Sequence, residues 1–519
     1  MKKSFIIYPY FFALFPVLSL FSHNVGEVSF TEILLPALVL MTVTTIILGL
    51  FRVFFGNMIK AAILTAVFLV LSMSYMHIYQ SIDWEIAGFM IGRHRNLMPA
   101  WIILFGCCTF FIRRTQRNLS DLTKILNILG LILMMIPLVA IGSHKFKTNS
   151  AVWDPKTMED IGNEQQLSTN PQKLRDIYYI ILDRYPDADT LQRIWAFDNK
   201  EFIDYLTNRG FYVATESRSN YLKTAHSLAS SLNAQFINFL RDQVGEESSD
   251  WLPLYQMLQD YKVQRFLKSK GYKYLHFGSW WGPTSKNKHA DTNFKLQRLS
   301  EFFSILFKTT IFFPIAVALG MDDRREEIAR RVLYKFDALS EIPKIHEPTF
   351  VFAHMIIPHS PYVFDRNGNF LTETQVNNRS RRENYLEQLI FTNMKIKILI
   401  DKILLNSDIK PIIILQADEG TFPNRYINEG PSFKWEHATE EELKEKMGIL
   451  NAYYLPEIDF DVLYPSITPV NSFRLIFRHY FGLNLKMLPD KMYAFVDENR
   501  LYSFFDVTNK IIQSKKNRE

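Results

Sequence analysis

The first 142 residues carry a series of apolar runs, and these restrict the possible folds more than any motif further along the chain. A helix needs about 20 mostly apolar residues to cross a bilayer core. The candidates are residues 5–21, 33–50, 61–79, 98–112 and 122–141. The first is too long, and followed by too many others, to be a simple cleaved signal peptide. The fourth is short, so a re-entrant or buried helix is its alternative. A transmembrane bundle of about five helices is expected over residues 1–142.

Basic residues orient such a bundle. Lys2 and Lys3 precede the first run, Arg52 and Lys60 separate the second and third, and Arg113, Arg114, Arg117 and Lys124 separate the fourth and fifth. All of these fall on one side if every run crosses. The alternate loops are poorer: 23–31 has no Lys or Arg, and 81–96 has Arg93 and Arg95. The richer side is cytoplasmic by the positive-inside rule, so the chain after about Ser143 is expected outside a bacterial cytoplasmic (inner) membrane, periplasmic or extracellular. Residues 143–175 are polar, with Asn, Asp, Gln and Pro, and suit a linker.

Residues 176–519 have ordinary globular composition. The net charge of +6 is small for 519 residues, and no RNA-binding or zinc-finger pattern is present, so nucleic acid is not an expected partner. The basic tail of Lys515, Lys516 and Arg518 suits a solvated end. Both cysteines, Cys107 and Cys108, lie in one apolar run, which leaves the later domain without a disulfide framework or a zinc–thiolate site.

Short apolar runs alternate with helical patterns here. DIYYIIL at 176–182, 350–353, PIIILQ at 411–416, 272–277 and 449–455 read as strands. Helices are expected near 198–209, 225–240, 252–269 and 382–405, which together predict an α/β domain with a mostly parallel sheet between helices. There is no internal repeat or low-complexity tract. Residues 302–320 are almost long enough to span, but Lys308, Pro314 and the need to keep Asp183 and Asp418 on one side argue against spanning. An interfacial helix pair on the bilayer surface and a helix of the domain core are the two alternatives.

In an open parallel sheet, ligands gather beyond the carboxyl ends of the strands. Three predicted strands end in polar groups: Asp183, then His354 with His359 in HMIIPHSPY, then Asp418 and Glu419 in QADEG. Thr224, in NYLKTAHSLASSLN, stands just before a helical run, where free N–H groups favour an oxyanion. The three carboxylates of Asp183, Asp418 and Glu419 and the Thr224 oxygen can enclose one divalent metal, which would ready that hydroxyl as a nucleophile, with His359 on the oxyanion or leaving group. Taken singly, each residue also has a structural role: Asp183 as a turn, Thr224 as an N-cap, His354 as a core histidine, His359 in a loop, and Asp418–Glu419–Gly420 as a turn.

Together these segments resemble the sulfatase-like branch of the alkaline-phosphatase superfamily, and more narrowly its membrane-anchored bacterial members, such as lipoteichoic acid synthase and lipid-headgroup transferases. The likeness covers about residues 175–480 plus the anchor. It rests on Asp183 after DIYYIIL, Thr224 after SRSNYLK, His359 in HSPY and Asp418 after IIILQ, with Tyr464–Pro465–Ser466 and Asn471–Ser472–Phe473–Arg474 beyond. It implies a metal, Mn or Mg, on the acidic residues and the threonine. It also implies a covalent phosphothreonine and a histidine contacting the substrate phosphate.

The chain departs from that pattern twice. Glu419 follows the late Asp where the family has His, and Arg184 follows the first Asp where a small or acidic residue is common. An all-oxygen site favours a harder ion over zinc. Either the chemistry is tuned or the site has lost activity. The stretch Thr224–Ala225–His226–Ser227–Leu228 lacks the Cys/Ser-x-Pro-x-Arg motif of sulfatases proper, and His354, His359 and Asp365 are too few spare ligands for a two-zinc phosphodiesterase. The expected function is a membrane-anchored, metal-dependent transferase or hydrolase of phosphate esters. It would have a phospholipid donor of phosphoglycerol or phosphoethanolamine type and a glycan or glycolipid acceptor. The alternative is a catalytically inactive relative that serves envelope polysaccharide assembly or binds another enzyme.

Overall fold

The computed structural model describes residues 5–25, 28–81, 85–86, 89–90, 93–148, 174–296, 300–320 and 324–512, with backbone only for 85–86, 89–90, 144–148 and 324. Lys2 and Lys3, most of the expected linker and the basic tail lie outside the described residues. The chain forms two compact units: Met1–Ser150 with Arg298–Asp323, and Ala151–Gln297 with Arg324–Glu519.

The first unit contains helices α1 (Tyr8–His23), α2 (Leu34–Phe55), α3 (Met58–Ser81), α4 (His94–Arg114) and α5 (Ser120–Thr148). Among the described residues, four stretches are long and apolar enough to cross a membrane: Phe30–Phe55, Met58–Ser81, His94–Arg114 and Ser120–Ser143. The fourth run, which looked short, gains length because its flanking polar residues continue the helix. The short one is α1, whose 16 residues reach only about 24 Å. Asn127 of α5 closes the start of α1. Its side-chain oxygen accepts from the N–H groups of Ile7 (3.2 Å) and Tyr8 (3.0 Å), and its amide donates to the Phe5 carbonyl. Helix-start donors thus find a partner without water. The two helices run close together at Gly130, where a Cβ would sit 3.0 Å from Phe11. Lys60 donates to the carbonyls of Arg113 and Thr115, both at 3.0 Å, so the basic residues of the α2–α3 and α4–α5 turns share one end of the unit.

Residues 302–320 form a pair of helices, Glu301–Lys308 and Phe312–Ala318, bent by 94°. The pair packs within the first unit and not into the core of the sheet domain. Phe302 and Leu306 bury against Val17, Phe21, Val25 and Ile33, the Ile311 N–H donates to the Ser72 carbonyl (2.9 Å), and the Phe312 ring meets Phe68. The hydroxyls of Thr309 and Thr310 turn back onto the Leu306 and Phe307 carbonyls and end the first helix where the chain bends.

The second unit is built on a seven-stranded sheet: β1 (Ile177–Leu182), β2 (Tyr212–Val213), β3 (Lys273–Phe277), β4 (Thr292–Phe294), β5 (Thr349–Met355), β6 (Ile412–Gln416) and β7 (Asn451–Tyr454), in the order β2-β7-β6-β1-β5-β3-β4. β1 lies between β5 and β6 and is parallel to both. β7 runs antiparallel to β6, and β2 antiparallel to β7. The unbroken apolar run of β1 follows from helices covering both faces. Ile177, Tyr179 and Ile181 enter one core with Leu228 and Phe473, while Tyr178, Ile180 and Leu182 enter the other with Leu389 and Ile400. The expected 225–240 helix ends at Asn233, with Ala234 in the left-handed region (φ 51°), and the 252–269 pattern divides into Leu252–Gln259 and Lys262–Ser269. Register pairs Ile181 with both His354 and Gln416, which aligns the polar ends of the three central strands.

Candidate active site

The ladder delivers the first acid directly. The Asp183 N–H, just past β1, still donates to the Met355 carbonyl at the end of β5 (3.0 Å). Ligand atoms of Asp183, His354 and Asp418 lie within 4.8 Å of one another, and all three residues are buried. Asp183 Oδ1, His354 Nε2 and Asp418 Oδ2 each lack a hydrogen-bond partner. Buried polar atoms without partners are uncommon, and here they converge. His354 Nδ1 lies 2.8 Å from the Thr284 hydroxyl, and Nε2 lies 3.4 Å from Asp183 Oδ2. With the proton on Nδ1, Nε2 offers its lone pair to the acids' side, as a metal ligand oriented by an outer hydrogen bond does.

Thr224 is not the N-cap. Lys223 takes that position, and Thr224 opens the helix Thr224–Asn233 with its side chain beside Asp418, whose carboxyl it helps to ionise. The candidate nucleophile and one acid of the trio are therefore in contact. Burial, with Asp183 and Glu419 nearby, raises the Asp418 pKa well above the carboxylate range. Burial opposes ionisation of Asp183 too, but the nearby His359, His354 and Arg184 together lower its pKa. Two buried acids are thus pushed in opposite directions, as titrating pairs at reactive centres are.

Glu419 is not among the three whose ligand atoms converge. Its Oε1 meets Lys446 Nζ at 2.8 Å and Arg184 Nε at 3.1 Å, and its buried Oε2 finds no hydrogen-bond partner among the described residues. Gly420 makes this possible: a Cβ there would lie 2.2 Å from the Glu445 carbonyl and 2.9 Å from that of Lys446, so only glycine lets the loop approach the helix Glu440–Met447. Arg184 adopts φ 59°. Its N–H donates to Asp418 Oδ1 (3.2 Å), and its carbonyl accepts from the Tyr385 hydroxyl (2.9 Å).

His359 interacts electrostatically with Asp183, and burial lowers its pKa to about 4, leaving it neutral at pH 7. Its ring lies 6.3 Å from that of Trp280, whose buried Nε1 has no partner. Asp365 is taken up in its own turn, accepting from the N–H groups of Asn367 and Asn369. The later familial segments serve packing. Ser472 pairs with the Tyr453 hydroxyl, and Asn471 donates to the Leu488 carbonyl. His354 and Lys446 are the residues that sequence reasoning placed wrongly or missed. The signal for His354 was its place at the end of a buried strand, five residues before His359. Lys446 gave none, since EEELKEKM reads as a solvated helix.

Two carboxylates, an imidazole and a hydroxyl suit a divalent cation, and the partnerless atoms are those such an ion would satisfy. The group that converges, Asp183, His354 and Asp418, includes a nitrogen beside the two carboxylates.

No family model and no curated protein matches the chain. Among solved structures it is similar to the C-terminal periplasmic domain of EcEptC from Escherichia coli, with 11% identity and a TM-score of 0.43, covering 67% of this chain and 96% of that one. It is also similar to the integral membrane protein lipooligosaccharide phosphoethanolamine transferase A from Neisseria meningitidis, with 13% identity and a TM-score of 0.38, covering 90% of this chain and 94% of that one. A third is a protein of the alkaline phosphatase superfamily from Vibrio parahaemolyticus, with 12% identity and a TM-score of 0.38, covering 65% and 73%. At such identities and TM-scores the likeness assigns no substrate or activity to this chain.

Proposed function

We propose that the chain is a membrane-anchored phosphotransferase or phosphohydrolase that works through Thr224. The observation that carries this is the meeting of three buried atoms without partners among the described residues, from Asp183, His354 and Asp418, beside Thr224, which neighbours one of the two acids. Asp183, His354, Asp418 and Thr224 would hold one divalent cation, Mn²⁺ by this mixed donor set, in place of a set containing Glu419. A cation held there supplies Lewis acidity and lowers the hydroxyl pKa. Thr224 Oγ attacks phosphorus, its proton passes to solvent or to a carboxylate of the site, and the phosphorus–oxygen bond to the leaving alcohol breaks. His359, neutral at pH 7, assists that alcohol. An acceptor hydroxyl or water then attacks the phosphothreonine and frees Thr224.

A phospholipid headgroup of phosphoglycerol or phosphoethanolamine type is the donor that fits, with a glycan or glycolipid as acceptor. Linking the site to a set of long apolar helices raises the effective concentration of a lipid donor. The shared basic end marked by Lys60 and Arg113 supports a cytoplasmic placement of those turns, with the sheet domain on the other side of the membrane. The test is mass spectrometry of the Mn²⁺-loaded full-length protein with labelled phospholipid. A headgroup phosphoryl (phosphoglycerol or phosphoethanolamine) on the peptide containing Thr224, absent from Thr224→Ala, is expected. Wild-type protein that takes up Mn²⁺ but never carries a phosphoryl group on Thr224 refutes the proposal and favours a non-catalytic envelope protein.

A further inference from the structure

Three cations surround the ring of Phe422: Lys446 Nζ at 3.6 Å, Arg184 Cζ at 4.3 Å and Lys223 Nζ at 4.4 Å from its centroid. Their charges are not equally matched. Lys223 is paired with Glu498 at 2.8 Å and donates to the Tyr426 hydroxyl at 2.7 Å. Lys446 is fully buried and faces Glu419 at 2.8 Å and the Gly420 carbonyl at 3.3 Å. Arg184 shares the same Glu419 oxygen that Lys446 uses, at 3.1 Å. Of the two, Arg184 is the one that reaches outward: its side chain is 27% exposed, while that of Lys446 is 0% exposed and burial lowers the Lys446 pKa to about 7. Both acceptors near its guanidinium, Glu419 at 3.1 Å and Asp183 at 4.0 Å, lie on the Nε side. Among the described residues no acceptor meets its two terminal amino groups.

The backbone gives a second, independent reason. Arg184 sits at φ 59°, a conformation that residues with a Cβ avoid. It is pinned there from both sides, by its N–H on Asp418 Oδ1 and by the Tyr385 hydroxyl on its carbonyl. Strain kept in place in this way clusters at functional positions. The same Asp418 lies beside the Thr224 side chain, so one carboxylate neighbours both residues.

We infer that Arg184 recognises the anionic group of the substrate beside Thr224, gripping two of its oxygens with the open edge of its guanidinium, while Glu419 and Lys446 position it. The inference rests on the proposed phosphoryl-transfer function and adds the group that selects a tetrahedral oxyanion. A planar fork suits two oxygens of one phosphate as no lysine does, and ring stacking on Phe422 limits its freedom. Glu419, which from sequence looked like a metal ligand, becomes the counter-charge that holds this fork.

The experiment uses full-length protein in detergent and inorganic phosphate as the probe, with binding followed by calorimetry with and without Mn²⁺. Arg184→Gln is expected to weaken phosphate binding ten- to a hundredfold and to leave Mn²⁺ uptake within about twofold. Arg184→Lys recovers only part of the loss. Arg184→Gly adopts the left-handed backbone freely and serves where the Gln variant folds poorly; it loses phosphate binding equally. Phosphate affinity within twofold of wild type in the Gln and Gly variants overturns the inference, as does wild-type protein that takes up Mn²⁺ and binds no phosphate. Failure of wild-type protein to take up Mn²⁺ is a different result and strikes at the proposed function.

Discussion

Replacing Lys446 by Met tests the buried charge arrangement around Glu419, beside Asp183, His354 and Asp418. Lys446 Nζ is fully buried, 2.8 Å from Glu419 Oε1, and Glu419 is itself 1% exposed. Removing one partner of a buried ion pair costs about 3–5 kcal/mol, since the other charge is left without compensation. Arg184 remains at 3.1 Å from the same oxygen and is partly solvated, so the loss belongs at the low end, about 3 kcal/mol. For a domain of this size that is a fall in Tm of about 6 °C. The Glu419→Gln, Lys446→Met double variant removes both charges and should recover most of the loss, with a coupling energy of about 2 kcal/mol. Thermal unfolding of the metal-free protein reads this without stabilisation by a bound cation. A single Lys446→Met variant within 1 °C of wild type refutes the reasoning (taking about 2 °C per kcal/mol), as does a double variant no more stable than the single.

Other changes give separate readouts. His354→Ala should weaken Mn²⁺ binding by on the order of 100-fold and Glu419→Gln by no more than about threefold, measured by equilibrium dialysis; the reverse order restores the oxygen-only ligand set. His276 is buried, hydrogen-bonded to Tyr274 and the Thr284 carbonyl, and burial lowers its pKa from 6.5 to about 4. The unfolded chain takes up the proton first as pH falls through about 6.5, so the neutral imidazole's stability is whole above that value and drains away towards pH 4. Between pH 7.5 and 5 the loss is about 2 kcal/mol, and His276→Gln should remove that part of the acid sensitivity in unfolding curves. Gly420→Ala forces a Cβ to within 2.2 Å of the Glu445 carbonyl and should destabilise by about 3 kcal/mol or more, measured as a drop in Tm.

What could be read in advance follows from where the determining forces act. β1 was legible because two covered faces demand an unbroken apolar run, and its terminal Asp183 marked the carboxyl edge of the sheet. The direction of β7 was not, because a short apolar run fits either sense and only its pairing with β6 settles it. Thr224 was visible as a residue at a helix start, but its contact with Asp418 joins segments 194 positions apart, which no local pattern encodes. Residues 302–320 offered the same apolar count to a core helix and to a membrane-unit pair. The contacts of Phe302 and Leu306 with Val17 and Phe21 decide between them. Lys446 is buried because a glycine 26 residues earlier admits the loop, so its charge could not be distinguished from those of its solvated neighbours.

The carboxylate at position 419 looked, from sequence, like either a hard-metal adaptation or the mark of a dead site. The contacts favour a third account. Glu419 does add to the burial and the Asp183 charge that raise the Asp418 pKa. Its Oε1 is nevertheless held by Lys446 and Arg184, while Oε2 finds no partner among the described residues, and the nitrogen that a histidine at 419 would bring is offered by His354 from β5, on the other side of β1. The departure is then half of a paired exchange, and reverting it alone should fail. In Glu419→His the Lys446 ammonium keeps its burial and loses its counter-charge, so the protein should lose about 2–3 kcal/mol of stability and gain no Mn²⁺ affinity. If equilibrium dialysis instead shows that variant binding Mn²⁺ tenfold more tightly at unchanged Tm, the site still accepts a nitrogen at 419, and the exchange between 419 and 354 is wrong.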